Sequence, residues 1–120
     1  MKLLVFVLNK EELLEATMEA YLEAGITGAT ILDSEGMGRF LAYEVPLFAS
    51  FKDVMAGAVP RNKTILSMIS GDEPLRRLLP ILQGSIGDLS VPGLGVMFTV
   101  PIDWSSVSIS DEKRAEEAAR

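Results

Sequence analysis

Met1-Lys2-Leu3-Leu4-Val5-Phe6-Val7-Leu8, followed at once by Asn9-Lys10-Glu11-Glu12, is the stretch on which the fold turns. Leu3 to Leu8 is an unbroken apolar run that includes Val and Phe, which suits a central strand covered on at least one face. One positive charge ahead of the run gives it the outline of a secretion signal. A signal peptide needs a longer apolar region and a small-residue cleavage site, and here a helix start follows immediately. The run is therefore expected to be a buried strand. Asn9 is placed to cap the next element, with Glu12 three residues later reaching back in a capping-box arrangement.

Working outward, Leu14, Met18, Tyr21 and Leu22 recur at helical spacing between Lys10 and Ala24, with Glu11, Glu12, Glu15, Glu19 and Glu23 mostly toward solvent. Gly25 stops this helix, because glycine enters the left-handed region cheaply. Thr27 to Ser34 reads as a second strand and Asn62 to Ser70 as a third. Asp72 is then expected to cap a helix from Glu73 to about Gln83, with Leu75, Leu78, Leu79 and Leu82 on one stripe. Pro80 lies within it and is expected to kink or shorten it. Gly95 to Ile102 is a fourth, largely apolar strand. The order is β-α-β, a long connection, then β-α-β. That order predicts an α+β, ferredoxin-like βαββαβ domain over residues 1–110, a four-stranded antiparallel sheet with two helices on one face. Residues 35–61 form a long insertion, and 111–120 a charged, Ala-rich C-terminal tail, a short helix or frayed. The sheet's other face is too apolar for water in strands 1 and 4, so further copies of the chain are expected to cover it.

The totals narrow the function. The chain has 120 residues, 48% of them hydrophobic, enough for one core. Its net charge is −6 and its pI about 4.6. No overall basic face exists to release counterions from a nucleic acid, and the pairs Arg61/Lys63 and Arg76/Arg77 are isolated. There is no cysteine and no histidine. Thiolate nucleophiles, soft-metal clusters and the usual neutral-pH acid–base residue are thereby removed. No segment reaches the length of a membrane span. Cytoplasmic localisation is the default expectation.

The insertion 35–61 is longer than a hairpin needs, and such connections are functional or disordered. Its content of Phe40, Leu41, Tyr43, Val45, Leu47, Phe48, Phe51, Val54 and Met55 argues against simple disorder. Leu47, Phe48, Phe51, Val54 and Met55 fall at helical spacing, which predicts a short amphipathic helix after Pro46. It either covers the sheet or a subunit seam, or docks a partner. Phe40, Leu41, Tyr43, Phe48 and Phe51 are the candidate docking residues. Two glycine clusters bracket the region, Gly36-Met37-Gly38-Arg39 and Gly93-Leu94-Gly95. Glycines let backbone amides approach an anion, and Arg39 supplies a positive charge. Neither cluster fits a P-loop or dinucleotide fingerprint, and turns that need positive φ are the better explanation of each cluster taken alone.

Taken together, Met1-Lys2-Leu3-Leu4-Val5 with its following helix, Gly25-Ile26-Thr27-Gly28-Ala29-Thr30, and Gly36-Met37-Gly38-Arg39 resemble the opening of the nitrogen-regulatory PII signalling family. Gly93-Leu94-Gly95-Val96-Met97-Phe98-Thr99-Val100-Pro101 is similar to that family's Gly-Asp-Gly-Lys-Ile-Phe-Val-x-Pro stretch. The resemblance runs from about Lys2 to Asp103. It implies a ferredoxin-like homotrimer, an adenine nucleotide or small anion bound between subunits, and a long loop, here 35–61, that engages a target protein. The implied ligand residues are Thr30, Gly36, Met37, Gly38, Arg39, Gly93, Leu94 and Gly95. The departures are specific. Phe40-Leu41 stand where the family has Gln-Lys, and Leu94 and Val96 where it has Asp and Lys. Asp103-Trp104-Ser105-Ser106 replace an Arg-rich segment. Each lost charge-assisted bond to phosphate is worth about 1.5–3 kcal/mol. Weak or absent ATP binding follows, and no 2-oxoglutarate sensing of the family's kind.

The expectation is a regulator and not an enzyme, with no catalytic residue and no metal ligand assigned. Asp33, Asp88 and Asp103 are the carboxylates found at element ends. Two alternatives stand beside it: an assembly protein without a ligand, and a ferredoxin-like trimer with a carboxylate metal site.

Overall fold

The computed structural model describes residues 1–48, 61–91 and 93–109. Within them the chain runs β1 (Lys2–Leu8), a 3-10 turn (Glu11–Leu13), α1 (Leu14–Glu23), β2 (Thr30–Ser34), α2 (Met37–Glu44) and a second 3-10 turn (Pro46–Phe48). It continues with β3 (Asn62–Ile69), α3 (Asp72–Ser85) and β4 (Gly95–Pro101). The architecture is α+β, with one four-stranded antiparallel sheet in the order β2-β3-β1-β4. β1 is central, as its unbroken apolar run requires: a strand with neighbours on both sides shows water no edge.

Residues opposite each other in an antiparallel pair share a face, so the register sorts the side chains. Leu4, Phe6 and Leu8 of β1 pair across from Ser67, Ile65 and Lys63 of β3. On that face Leu4, Phe6, Leu8, Ile65 and Ile69 join Ala20, Tyr21 and Ala24 of α1 and Leu78 and Leu82 of α3 in one core. α1 and α3 pack on each other above it. Burying one such side chain contributes roughly 1.5–3 kcal/mol, so this face dominates the stability. The opposite face carries Leu3, Val5 and Val7 beside Leu66, Met68, Val96, Phe98 and Val100. No helix packs on it among the described residues. Among the described residues Val107 and Ile109 reach it, lining a groove with Leu3, Leu66, Met68 and residues 28–30 at one end.

Several local expectations need correction. Asn9 does not cap: Lys10 precedes the 3-10 turn without a side-chain cap bond, and the Asn9 N–H donates to the Leu94 carbonyl at 2.8 Å. The backbone of Asn9 is thus used to extend the β1–β4 ladder. The buried stripe of α1 runs through Thr17, whose hydroxyl donates to the Leu13 carbonyl at 2.7 Å, while Leu22 is 63% exposed. Gly25 does end α1, at φ +88°. The Ile26 N–H returns to the Tyr21 carbonyl at 2.8 Å, a six-to-one bond typical of a Schellman ending. Arg77 of α3 donates from Nε to the Ala24 carbonyl at 3.0 Å, tying the two helices together.

β2 starts at Thr30, three residues later than expected. α3 begins with Asp72 inside its first turn and Gly71 as the flanking residue, and Asp72 instead accepts a bond from Lys2 Nζ at 2.5 Å. Pro80 does not end the helix, which runs on to Ser85. Pro80 and Arg76, whose carbonyl loses its helical partner, are both on the exposed side, where water replaces the missing bond. The insertion forms a helix, α2, before Pro46. Gly36, in an extended conformation, precedes α2, and Val45, the residue before Pro46, is extended at φ −113° and ψ 110°. A residue ahead of proline is pushed out of the helical region, which terminates α2. The helix expected after Pro46 and the tail 111–120 fall largely or wholly outside the described residues.

Candidate functional site

The ligand residues suggested by the sequence lie in three places on one copy of the chain. Thr30 opens β2, opposite Leu66. Gly36, Met37, Gly38 and Arg39 follow the other end of β2, about 13 Å along the strand at 3.3 Å per residue. Gly93, Leu94 and Gly95 enter β4, on the opposite edge of the sheet. Asp33, Lys63, Leu8 and Gly95 form one row across the four strands. The two glycine clusters therefore share an end of the sheet but stand about 14 Å apart, three strand spacings. One copy does not bring them together.

The two clusters also differ in kind. Gly36 has φ −77° and Gly38 lies within α2, so neither occupies the left-handed turn that the sequence allowed. Gly93 and Gly95 do, at φ +125° and +142°. A Cβ built on Gly95 would lie 1.9 Å from the Val7 carbonyl oxygen, so close approach of β1 demands glycine there. Around Gly93 there is open space. The Leu94 carbonyl is taken by Asn9. Gly95 thus has a structural reason of its own.

At the β2 end, charge is organised in pairs. Arg39 Nε lies 3.3 Å from Glu35 Oε1, four residues earlier and ahead of α2, and its guanidinium carbon sits 4.7 Å from the centroid of the Tyr43 ring. Lys63 Nζ donates to Asp33 Oδ1 across the β2–β3 pair. That bond holds the Asp33 carboxyl below the usual aspartate range, with the Lys63 and Arg61 charges adding to it. The same bond raises Lys63, with smaller help from the charges of Asp33 and Glu11. Beside them Ser34 Oγ contacts Asn62 Oδ1 and lies 2.7 Å from Thr64 Oγ1, a polar island on the open sheet face. Two cross-strand charges in separate segments are unreadable without the register, so the sequence signalled Arg39 but not the Asp33–Lys63 pair.

Of the docking candidates, Phe40 and Tyr43 are about half exposed, at 49% and 50%, and Leu41 is partly buried. With Met37 at 77% and Leu47 at 83% they follow spacings of three, three and four residues, one outward stripe along α2 and the turn after it. Met37 and Leu47 therefore lie on the same outward stripe as Phe40 and Tyr43. The side chain of Phe48 and all of Phe51 lie outside the described residues. No group of three Asp or Glu side chains gathers closely enough to hold a metal ion among the described residues. No helix there is long and apolar enough to cross a membrane. No protein-family model matches the chain, and no curated protein matches its sequence.

Proposed function

We propose that this chain is a PII-like regulatory module with a ferredoxin-like fold, acting as a homotrimer and not as an enzyme. It takes a small anionic or nucleotide effector in clefts between copies and acts on a partner protein through the segment 35–61. The strand order and the two helices on one side are in keeping with that fold. The observation that carries the reading is the open sheet face. Val96, Phe98 and Val100 are 53%, 47% and 42% exposed there, and Leu32 on the far strand 46%. A contiguous apolar patch of this kind marks a binding surface, and identical copies supply a matching one. The two glycine clusters at one end but on opposite edges fit the same scheme, since only a neighbouring copy brings one edge to another.

Native mass measurement at low micromolar concentration is expected to give three copies. A folded monomer would remove the basis of the proposal. A thermal-shift screen of nucleotides and small anions then tests the effector, with a response in the wild type that Arg39→Ala weakens. The internal pairing of Arg39 with Glu35 favours a second reading, an assembly protein without a ligand. A trimer that answers to no ligand would select it.

A further inference from the structure

We infer that Asp33 and Glu35 are built-in competitors that keep Lys63 and Arg39 from an anionic effector at the β2 end. The inference rests on the proposed effector cleft and specifies what an anion has to displace there. Asp33 and Glu35 are two residues apart at the C-terminal end of β2. Each is paired with a cation, Asp33 with Lys63 and Glu35 with Arg39.

In both pairs the acid is the more exposed partner. The side chain of Asp33 is 76% exposed against 23% for Lys63, and that of Glu35 37% against 22% for Arg39. An anion coming from solvent therefore meets two carboxylates before either cation. Lys63 also feels Glu11 from the turn after β1, and Arg61 shares the field of Asp33. The Arg39 guanidinium is further engaged by the Tyr43 ring. A phosphate oxygen reaches Lys63 Nζ or Arg39 Nε only by displacing the carboxylate beside it, and like-charge repulsion opposes its approach.

The test titrates inorganic pyrophosphate by calorimetry into the wild type, Asp33→Asn, Glu35→Gln and the double variant. Exposed pairs are individually weak, so each single change is expected to tighten binding a few-fold and the double change about tenfold. Adding Lys63→Ala to the double variant is expected to cancel most of the gain. Glu19→Gln with Glu23→Gln removes the same net charge from the outer face of α1 and is expected to change affinity less than twofold. Native mass and circular dichroism of each variant verify folding; the Asp→Asn and Glu→Gln substitutions are near-isosteric and at exposed side chains.

Wild-type protein that binds pyrophosphate as tightly as the double variant overturns the competition and leaves the effector reading intact. A gain equally large in the Glu19/Glu23 variant overturns it too, reducing it to bulk charge. Absence of binding in every variant overturns it by showing that the cations form no anion site. The expected gain in a protein whose native mass is that of a monomer upholds the competition and removes the trimeric regulator.

Discussion

On the helix side of the sheet Leu4, Phe6, Leu8 and Ile65 have no exposed surface, while one residue along β4 from Met97 the side chains of Val96 and Phe98 stand about half open. Both faces are apolar, and both belong to the same strands. They differ in whether the chain supplies its own cover. Among the described residues α1 and α3 are both spent on one face, and the other receives Val107 and Ile109 at one end. An apolar strand position is thus a demand for burial that says nothing about who meets it, and among the described residues one face is covered by helices and the other is not.

Truncation should separate the faces most sharply. Phe6→Ala empties a fully enclosed site and is expected to cost about 3–5 kcal/mol in urea denaturation. Phe98→Ala removes a half-exposed ring and is expected to cost about 1 kcal/mol in the isolated chain. The loss at Phe98 is expected to grow with protein concentration; equal losses at all concentrations would mean that no copy covers it.

The strand shared by both faces offers the next contrast. Gly95→Ala drives a methyl group into the Val7 carbonyl and is expected to cost at least about 2 kcal/mol. Gly93→Ala meets open space and is expected to cost about 1 kcal/mol, from positive φ alone. Near-equal values would show that the β1–β4 approach is looser than the structure has it.

Polar atoms inside the closed face give a smaller effect. Tyr21 Oη and Ser67 Oγ are buried without a hydrogen-bond partner among the described residues, and burial pushes the Tyr21 hydroxyl well above its ordinary pKa. Tyr21→Phe and Ser67→Ala are expected to change stability by less than about 1 kcal/mol, in the stabilising direction, because each removes an unsatisfied group. A clear loss would reveal a partner, such as an ordered water.

The smallest effect is at the rim, where Lys2 joins β1 to the start of α3. The Lys2 bond holds Asp72 below the usual aspartate range. A depressed carboxyl contributes stability at neutral pH that is lost as pH falls from the unfolded value through the folded one. Melting temperatures of wild type and Asp72→Asn are therefore expected to differ slightly at pH 7 and to converge in acid. A gap that widens in acid would contradict the pairing.

Local patterns were legible where one segment carries the whole cause. The run Leu3–Leu8 announced a central strand, and Gly25 announced the end of α1. Legibility failed where the deciding neighbour lies far along the chain. Asn9 looked like a cap because nothing local reveals that Leu94 would take its backbone. Gly36 and Gly38 looked like turn glycines, although the helix they precede and enter is set by the apolar residues beyond them and by Pro46. Leu22 looked like core because Thr17, a polar residue, took the inward position by bonding its own helix.

By itself the sequence determined the number and order of strands, the helices α1 and α3 and the absence of thiol and imidazole chemistry, since these follow from short-range periodicity and composition. Tertiary structure alone decided which acid neutralises Lys63, why Gly95 must be glycine and which sheet face α1 and α3 cover. Those outcomes depend on strand register, and register joins residues tens of positions apart through hydrogen bonds that no local pattern records.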